Sequence, residues 1–218
     1  MLDELTLVQR IVVWILPVIF AVTVHETAHG WAAKHYGDNT AFLQGRLTLN
    51  PLKHIDPFGT IILPVLMLIS FNGLIFGWAK PVPVDGRNFK NPKRAMMMVA
   101  LAGPASNLLM AVAWALLSRL GVLLHAFEFM ALPLIYSGVA GISINLVLAL
   151  VNLLPIPPLD GSRVLSGLLP DYWAWQFNRL ERYGFIILLI LLGTNALSSV
   201  LAYPLFYANQ LFFGLAGL

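Results

Sequence analysis

The chain has 218 residues, 59% of them hydrophobic and 11% charged, with a mean hydropathy of +0.80. A soluble domain is charged at about a quarter of its positions, so the composition points to an integral membrane protein, and the length to a single domain over 1–218. The net charge of +3 requires no nucleic-acid partner, because basic loops in a membrane protein report its cytoplasmic face. The absence of cysteine excludes thiolate metal ligands and disulfides.

The first apolar run extends from about Leu5 to Ala33 and is long enough to span a bilayer with tilt. It is too long for a signal-peptide core and no small-residue cleavage pattern follows, so it reads as a retained helix. Lys34 to Pro57 is polar, and alternation over Phe42–Leu49 predicts a short strand. A second run, Phe58 to Phe76, is interrupted by Pro64 and by Asn72-Gly73. The three prolines and two glycines of FGWAKPVPVDGRNFKNPKR forbid a helix and predict an extended, turning segment. Apolar runs return at Ala95–Leu117 and Leu132–Leu154, the latter ending in NLLPIPPLDG. The last run, Tyr183–Tyr203, is followed by Pro204 and an apolar tail, which predicts one or two C-terminal helices.

The first run contains VTVHETAHGW, Val22 to Trp31. HETAH fits H-E-x-x-H. On a helix, positions i and i+4 share a face, so His25 and His29 can both reach one metal ion. Glu26 lies one residue round, close enough to touch water on the metal. Zinc brings the pKa of such water to about 7, where a carboxylate can take its proton. A chance match inside a membrane helix is disfavoured, because each ionisable group there costs at least ~2 kcal/mol.

Catalytic zinc usually has three protein ligands. The other histidines are His35, His54 and His125, and the outstanding acid is Asp160. Pro155, Pro157 and Pro158 unwind the fourth run just before it, and Gly161 lets the backbone turn. An ordinary turn aspartate is the alternative reading. His54 could line a site entrance or hydrogen-bond a carboxylate, or be structural. His35 reads as an interfacial residue, and Trp78, Tyr172 and Trp173 as interface anchors.

Together these residues resemble the site-2 protease family of intramembrane zinc metalloproteases. His25, Glu26 and His29 match its H-E-x-x-H, and Asn152, Pro155, Pro157, Asp160 and Gly161 match its N-x-x-P-x-P-x-x-D-G. Gly103, Pro104 and Asn107 match a G-P-x-x-N pattern of the middle core helix. GRLTLNPLKHIDPFGT and FGWAKPVPVD resemble the compact prokaryotic members that lack a PDZ domain, and the likeness covers roughly Ala21 to Arg163. It implies one zinc ion per chain held by His25, His29 and Asp160, with Glu26 activating water, and a membrane-embedded protein substrate. It also implies contacts from Asn107 and Asn152 to the substrate backbone or oxyanion. The alternative for these two is interhelical hydrogen bonding.

Topology constrains the site independently. HETAH lies in the second half of the first run and Asp160 just past the fourth. If every run spanned, the two would emerge on opposite faces. If Phe58–Phe76 is re-entrant, they meet. Eleven Lys and Arg then fall on one face and only two, Arg10 and Arg119, on the other. The positive-inside rule favours that arrangement and puts the catalytic end toward the cytoplasm; the resemblance to compact prokaryotic members implies the plasma membrane of a prokaryote. His125 falls on the far face and is excluded as a ligand.

The expected architecture is an all-α polytopic membrane protein. It has a three-helix catalytic core, a re-entrant segment, a short extended or β segment beside the site, and the C-terminal helices. The expected activity is zinc-dependent hydrolysis of peptide bonds in or near a substrate's transmembrane helix. A metal-ion transporter and a non-catalytic membrane scaffold are the rivals.

Overall fold

A computed structural model describes residues 5–62 and 77–218. Among these residues there are eight α-helices and no strand. They are α1 (Leu7–His35), α2 (Thr40–Leu43), α3 (Pro92–Leu123), α4 (Glu128–Asn152), α5 (Asp160–Leu168), α6 (Asp171–Asn178), α7 (Gly184–Gly193) and α8 (Ala196–Ala216). The protein is an all-α polytopic membrane protein. α1, α3 and α4 are each long and apolar enough to cross a membrane, and α6 to α8 pass the same test together as one bent unit.

Helix α1 starts at a capping box. The Thr6 hydroxyl accepts from the Gln9 N–H and the Gln9 side chain accepts from the Thr6 N–H, which satisfies two donors the helix would leave unpaired. Helix α3 runs back along α1 and is the centre of the bundle. Its buried face repeats every four residues through Ala95, Val99, Gly103, Asn107, Ala111 and Ala115. These small side chains let helix backbones approach closely. Trp114 fills the notch at Gly141 on α4, where a Cβ would collide with its ring. The large apolar side chains point outward, including Ile15, Phe20, Leu109 and Leu116. Small and polar inside with large and apolar outside is the packing expected of helices in lipid.

Helix α4 returns after the turn at Leu124–Phe127, so α1 and α4 are parallel with α3 antiparallel between them. The C-terminal end of α1 therefore lies beside the N-terminal end of α3, where Ala33 and Tyr36 pack with Phe89 and Ala95. The expected re-entrant run falls largely on residues 63–76, outside the described residues. Its flanks do meet, since Trp78 N–H donates to Gly59 O at 3.1 Å and the Thr60 hydroxyl to Trp78 O at 2.8 Å.

One expectation is corrected. Phe42–Leu49 does not form a strand. Buried Asp38 accepts the Thr40 N–H and starts the helical turn α2, and Gly45, at φ +63°, ends it. The C-terminal region forms two helices, α7 and α8, as the sequence allowed, and Pro204 sits inside α8. The break between them falls at Asn195, which takes a left-handed conformation at φ 57°, and the two helices meet at 75°. Residues 77–85 carry no helix, in keeping with the extended segment expected there.

Candidate metal centre

The helical period of α1 puts His25 and His29 on one face, toward Gly103 of α3, and the structure brings Asp160 to them from the loop after α4. His25 Nε2 and His29 Nε2 are 3.0 Å apart. Asp160 Oδ2 is 3.2 Å from the first and 3.3 Å from the second. His25 is 7% exposed and His29 9%. At 1.5 Å per residue, His25 lies about 15 Å inside the C-terminal end of α1.

Asp160 arrives here because α4 cannot continue. Pro155, Pro157 and Pro158 leave Leu153–Leu159 non-helical, and α5 restarts at Asp160 itself. Gly161 closes this loop. A Cβ there would collide with the carbonyl oxygens of Leu153 and Leu154. Gly103 opens the other side, since a Cβ at that position would sit 2.5 Å from His29 Nε2 and 2.6 Å from His25 Cε1.

The far ring nitrogens are tied down. His29 Nδ1 donates to Val99 O at 2.7 Å, and a carbonyl can only accept. Asn107 donates its amide to Ala21 O and to Asn145 Oδ1, which leaves its Oδ1 to accept from His25 Nδ1. In both neutral rings the proton is therefore on Nδ1, and Nε2 offers a lone pair. Asp160 Oδ2 is buried and accepts no hydrogen bond. Three acceptor atoms thus face one another with no donor among them.

A divalent cation satisfies all three at once. Tetrahedral zinc with bonds of about 2.0–2.1 Å spaces its ligand atoms about 3.3 Å apart, and the observed separations are 3.0–3.3 Å. The residues fit a zinc site with three protein ligands. His25, His29 and Asp160 are also the only such cluster of His and acidic groups among the described residues.

Glu26 is engaged from outside α1, where its Oε2 accepts the Val82 N–H at 3.0 Å. Asn107 is fully buried, with its side-chain oxygen and nitrogen on His25, Ala21 and Asn145. Asn152 donates to Leu148 O within its own helix. His54 is 2% exposed and its Nε2 lies 2.9 Å from Thr48 O, beside the extended segment rather than among the three acceptors. His35 is at the end of α1, and His125 follows α3 at the opposite end of the bundle.

Sequence reasoning passed over three participants. Asn145 could have been found by the signal that marked Asn107, a polar side chain in an apolar run. The carbonyl of Val99 and the N–H of Val82 leave no trace in residue identity.

The chain is similar to several known proteins. The chain is 43% identical over 202 residues to "Putative zinc metalloprotease YwhC" of Bacillus subtilis, covering 90% of this chain and 86% of that one. It is 36% identical over 182 residues to "Putative zinc metalloprotease Rip2" of Mycolicibacterium smegmatis, covering 83% of this chain and 66% of that one. Over 92 residues it is 40% identical to "Putative zinc metalloprotease MJ0611" of Methanocaldococcus jannaschii, 41% of either chain. No family model matches the chain, and no solved structure matches it. A polytopic helical bundle with a buried His–His–Asp cluster defines a membrane protein with a candidate metal centre in its core. The extent of the likeness to YwhC adds that the chain belongs to this family of zinc metalloproteases.

Proposed function

We propose that the protein is a site-2-type intramembrane metalloprotease, binding one zinc ion through His25, His29 and Asp160 and cleaving membrane-protein substrates in or near a transmembrane helix. The observation that carries this reading is the convergence of three acceptor atoms, two of them from the same helix as Glu26, a helix long and apolar enough to span, and the third from Asp160. In the topology with Phe58–Phe76 re-entrant, eleven of thirteen Lys and Arg residues fall on the face where α1 ends, which supports a cytoplasmic catalytic end, and the likeness to bacterial and archaeal proteins supports the cell membrane of a prokaryote.

Zinc in this site supplies Lewis acidity, polarising the scissile carbonyl and acidifying water. The chain's own residues do the rest. His25 and His29 present neutral nitrogens because Asn107 and Val99 hold their Nδ1 protons. Asp160 supplies the anionic ligand. Glu26 is the general base: with Oε2 held by Val82, its other oxygen takes a proton from the attacking water and returns one to the leaving amide nitrogen. The carbon–nitrogen bond breaks, a carbon–oxygen bond forms, and the products are a carboxylate and an amine. The closed helical walls around the cluster limit bulk water.

The test is reconstitution into liposomes with a panel of single-span reporter proteins carrying a tag at each end. Wild type is expected to cut at least one reporter within or beside its span, and Glu26→Gln to cut none while still binding zinc. A Glu26→Gln variant that cuts at the wild-type rate contradicts the reading.

A further inference from the structure

Arg46 is 8% exposed, yet among the described residues no carboxylate lies within ion-pair distance of it. Burying a guanidinium without an acid is costly, and arginine is favoured where its rigid fork of donors is used. Here one end of the guanidinium meets main chain: Nη2 donates to Lys80 O at 3.0 Å and to Pro81 O at 3.3 Å, while Nε is buried without a partner among the described residues. On the same stretch the Lys80 N–H donates to the His54 carbonyl at 2.9 Å. Pro81 and Pro83 have no N–H, so within 81–83 the only main-chain donor belongs to Val82, and it is spent on Glu26 Oε2. The Val82 side chain is buried against Gly30, one turn beyond Glu26, where an added Cβ would stand 3.0 Å from Val82 Cγ1.

We propose that Arg46 is a positioning residue for Glu26. By holding the carbonyls of Lys80 and Pro81 it sets the Val82 N–H against one carboxylate oxygen and leaves the other aimed for proton transfer. This rests on Glu26 being the general base. The extended segment is then a part of the catalytic apparatus held in place by a buried cation.

The test uses the full chain in lipid nanodiscs. Amide hydrogen exchange over residues 79–85 is expected to quicken at least about tenfold in Arg46→Ala, with α3 and α4 unchanged. Added guanidinium ion is expected to restore protection. On a reporter that wild type cleaves, Arg46→Ala is expected to lose about a hundredfold in kcat with KM unchanged. Val82→Pro, which removes the donor itself, is expected to show a like loss, and the double variant no further one. Each variant should keep its zinc. Unchanged exchange in Arg46→Ala overturns the proposal, as does faster exchange with the wild-type kcat. A wild type that cleaves no reporter fails the protease reading whatever the exchange shows. A wild type that cleaves, beside an equally active Arg46→Ala, fails this proposal alone.

Discussion

His25 Nδ1 and Asn107 Oδ1 lie 2.5 Å apart across the interface of α1 and α3. The contact continues through Asn107 Nδ2 to Asn145 Oδ1 at 2.8 Å, and from Asn145 Nδ2 to Gly141 O at 2.8 Å. One polar thread therefore crosses all three core helices and ends on a candidate metal ligand. It fixes the ring orientation and tautomer of His25, as partners behind a ligating histidine generally do.

Asn107→Ala leaves that ring free to turn. Loss of such a partner typically costs 10- to about 100-fold in metal affinity. Competition with a chromogenic chelator should show a drop of that size in Asn107→Ala and a smaller one in Asn145→Ala, which acts at one remove. Equal affinity in Asn107→Ala and wild type would mean that Val99, Gly103 and packing alone hold the histidine pair.

Gly103→Ala tests the close approach of α3 to the same pair. In a plain helix the change would stabilise by about 0.5–1 kcal/mol. Here the new Cβ would stand 2.5 Å from His29 Nε2, so one histidine must move. Helix content should be unchanged on circular dichroism while zinc affinity falls roughly tenfold or more. Retained affinity would show that α3 shifts aside at little cost.

Asp38 joins the end of α1 to the loop that precedes α3. Its Oδ1 accepts from Thr40 and from Asn88 Nδ2, and its Oδ2 from the Asp85 N–H at 2.7 Å. Burial works against its ionisation, but these donors outweigh burial and hold its carboxyl below the ordinary 3.8. A depressed carboxyl pKa gives stability that is present above the unfolded value and lost as pH falls through the folded one. The melting temperature of wild type should therefore fall as pH drops below about 4. Asp38→Asn should be less stable at pH 7 by roughly 1–3 kcal/mol and show a shallower acid decline. Asp85, pulled to about 2 by the Arg87 guanidinium, stays ionised through the upper part of that window. Parallel pH profiles for the two proteins would remove Asp38 from this role.

The parts of the fold and site that could be read from sequence are those where one physical constraint acts alone. Hydropathy marked α1, α3 and α4 because lipid demands uninterrupted apolar helices. The i, i+4 spacing of His25 and His29 fixed their shared face, and three prolines fixed where α4 must end before Asp160. The strand expected at Phe42–Leu49 failed because a long-range bond competed with local alternation. Asp38, held from Asp85 and Asn88, also starts the turn at Thr40. Where the C-terminal helices break was not legible: membrane helices tolerate proline, so Pro204 did not decide it, and the break at Asn195 carries no proline. Main-chain partners such as Val99 O and Val82 N–H depend on how helices meet, which no single residue announces.

The most direct test is zinc per chain, measured in purified wild type and in Asp160→Ala after a mild chelator wash. The account predicts about one tightly held zinc ion in wild type, and its loss or marked weakening in Asp160→Ala. Zinc held equally by Asp160→Ala would contradict the His25–His29–Asp160 site, and no zinc in remetallated wild type would contradict the metalloprotease reading as a whole.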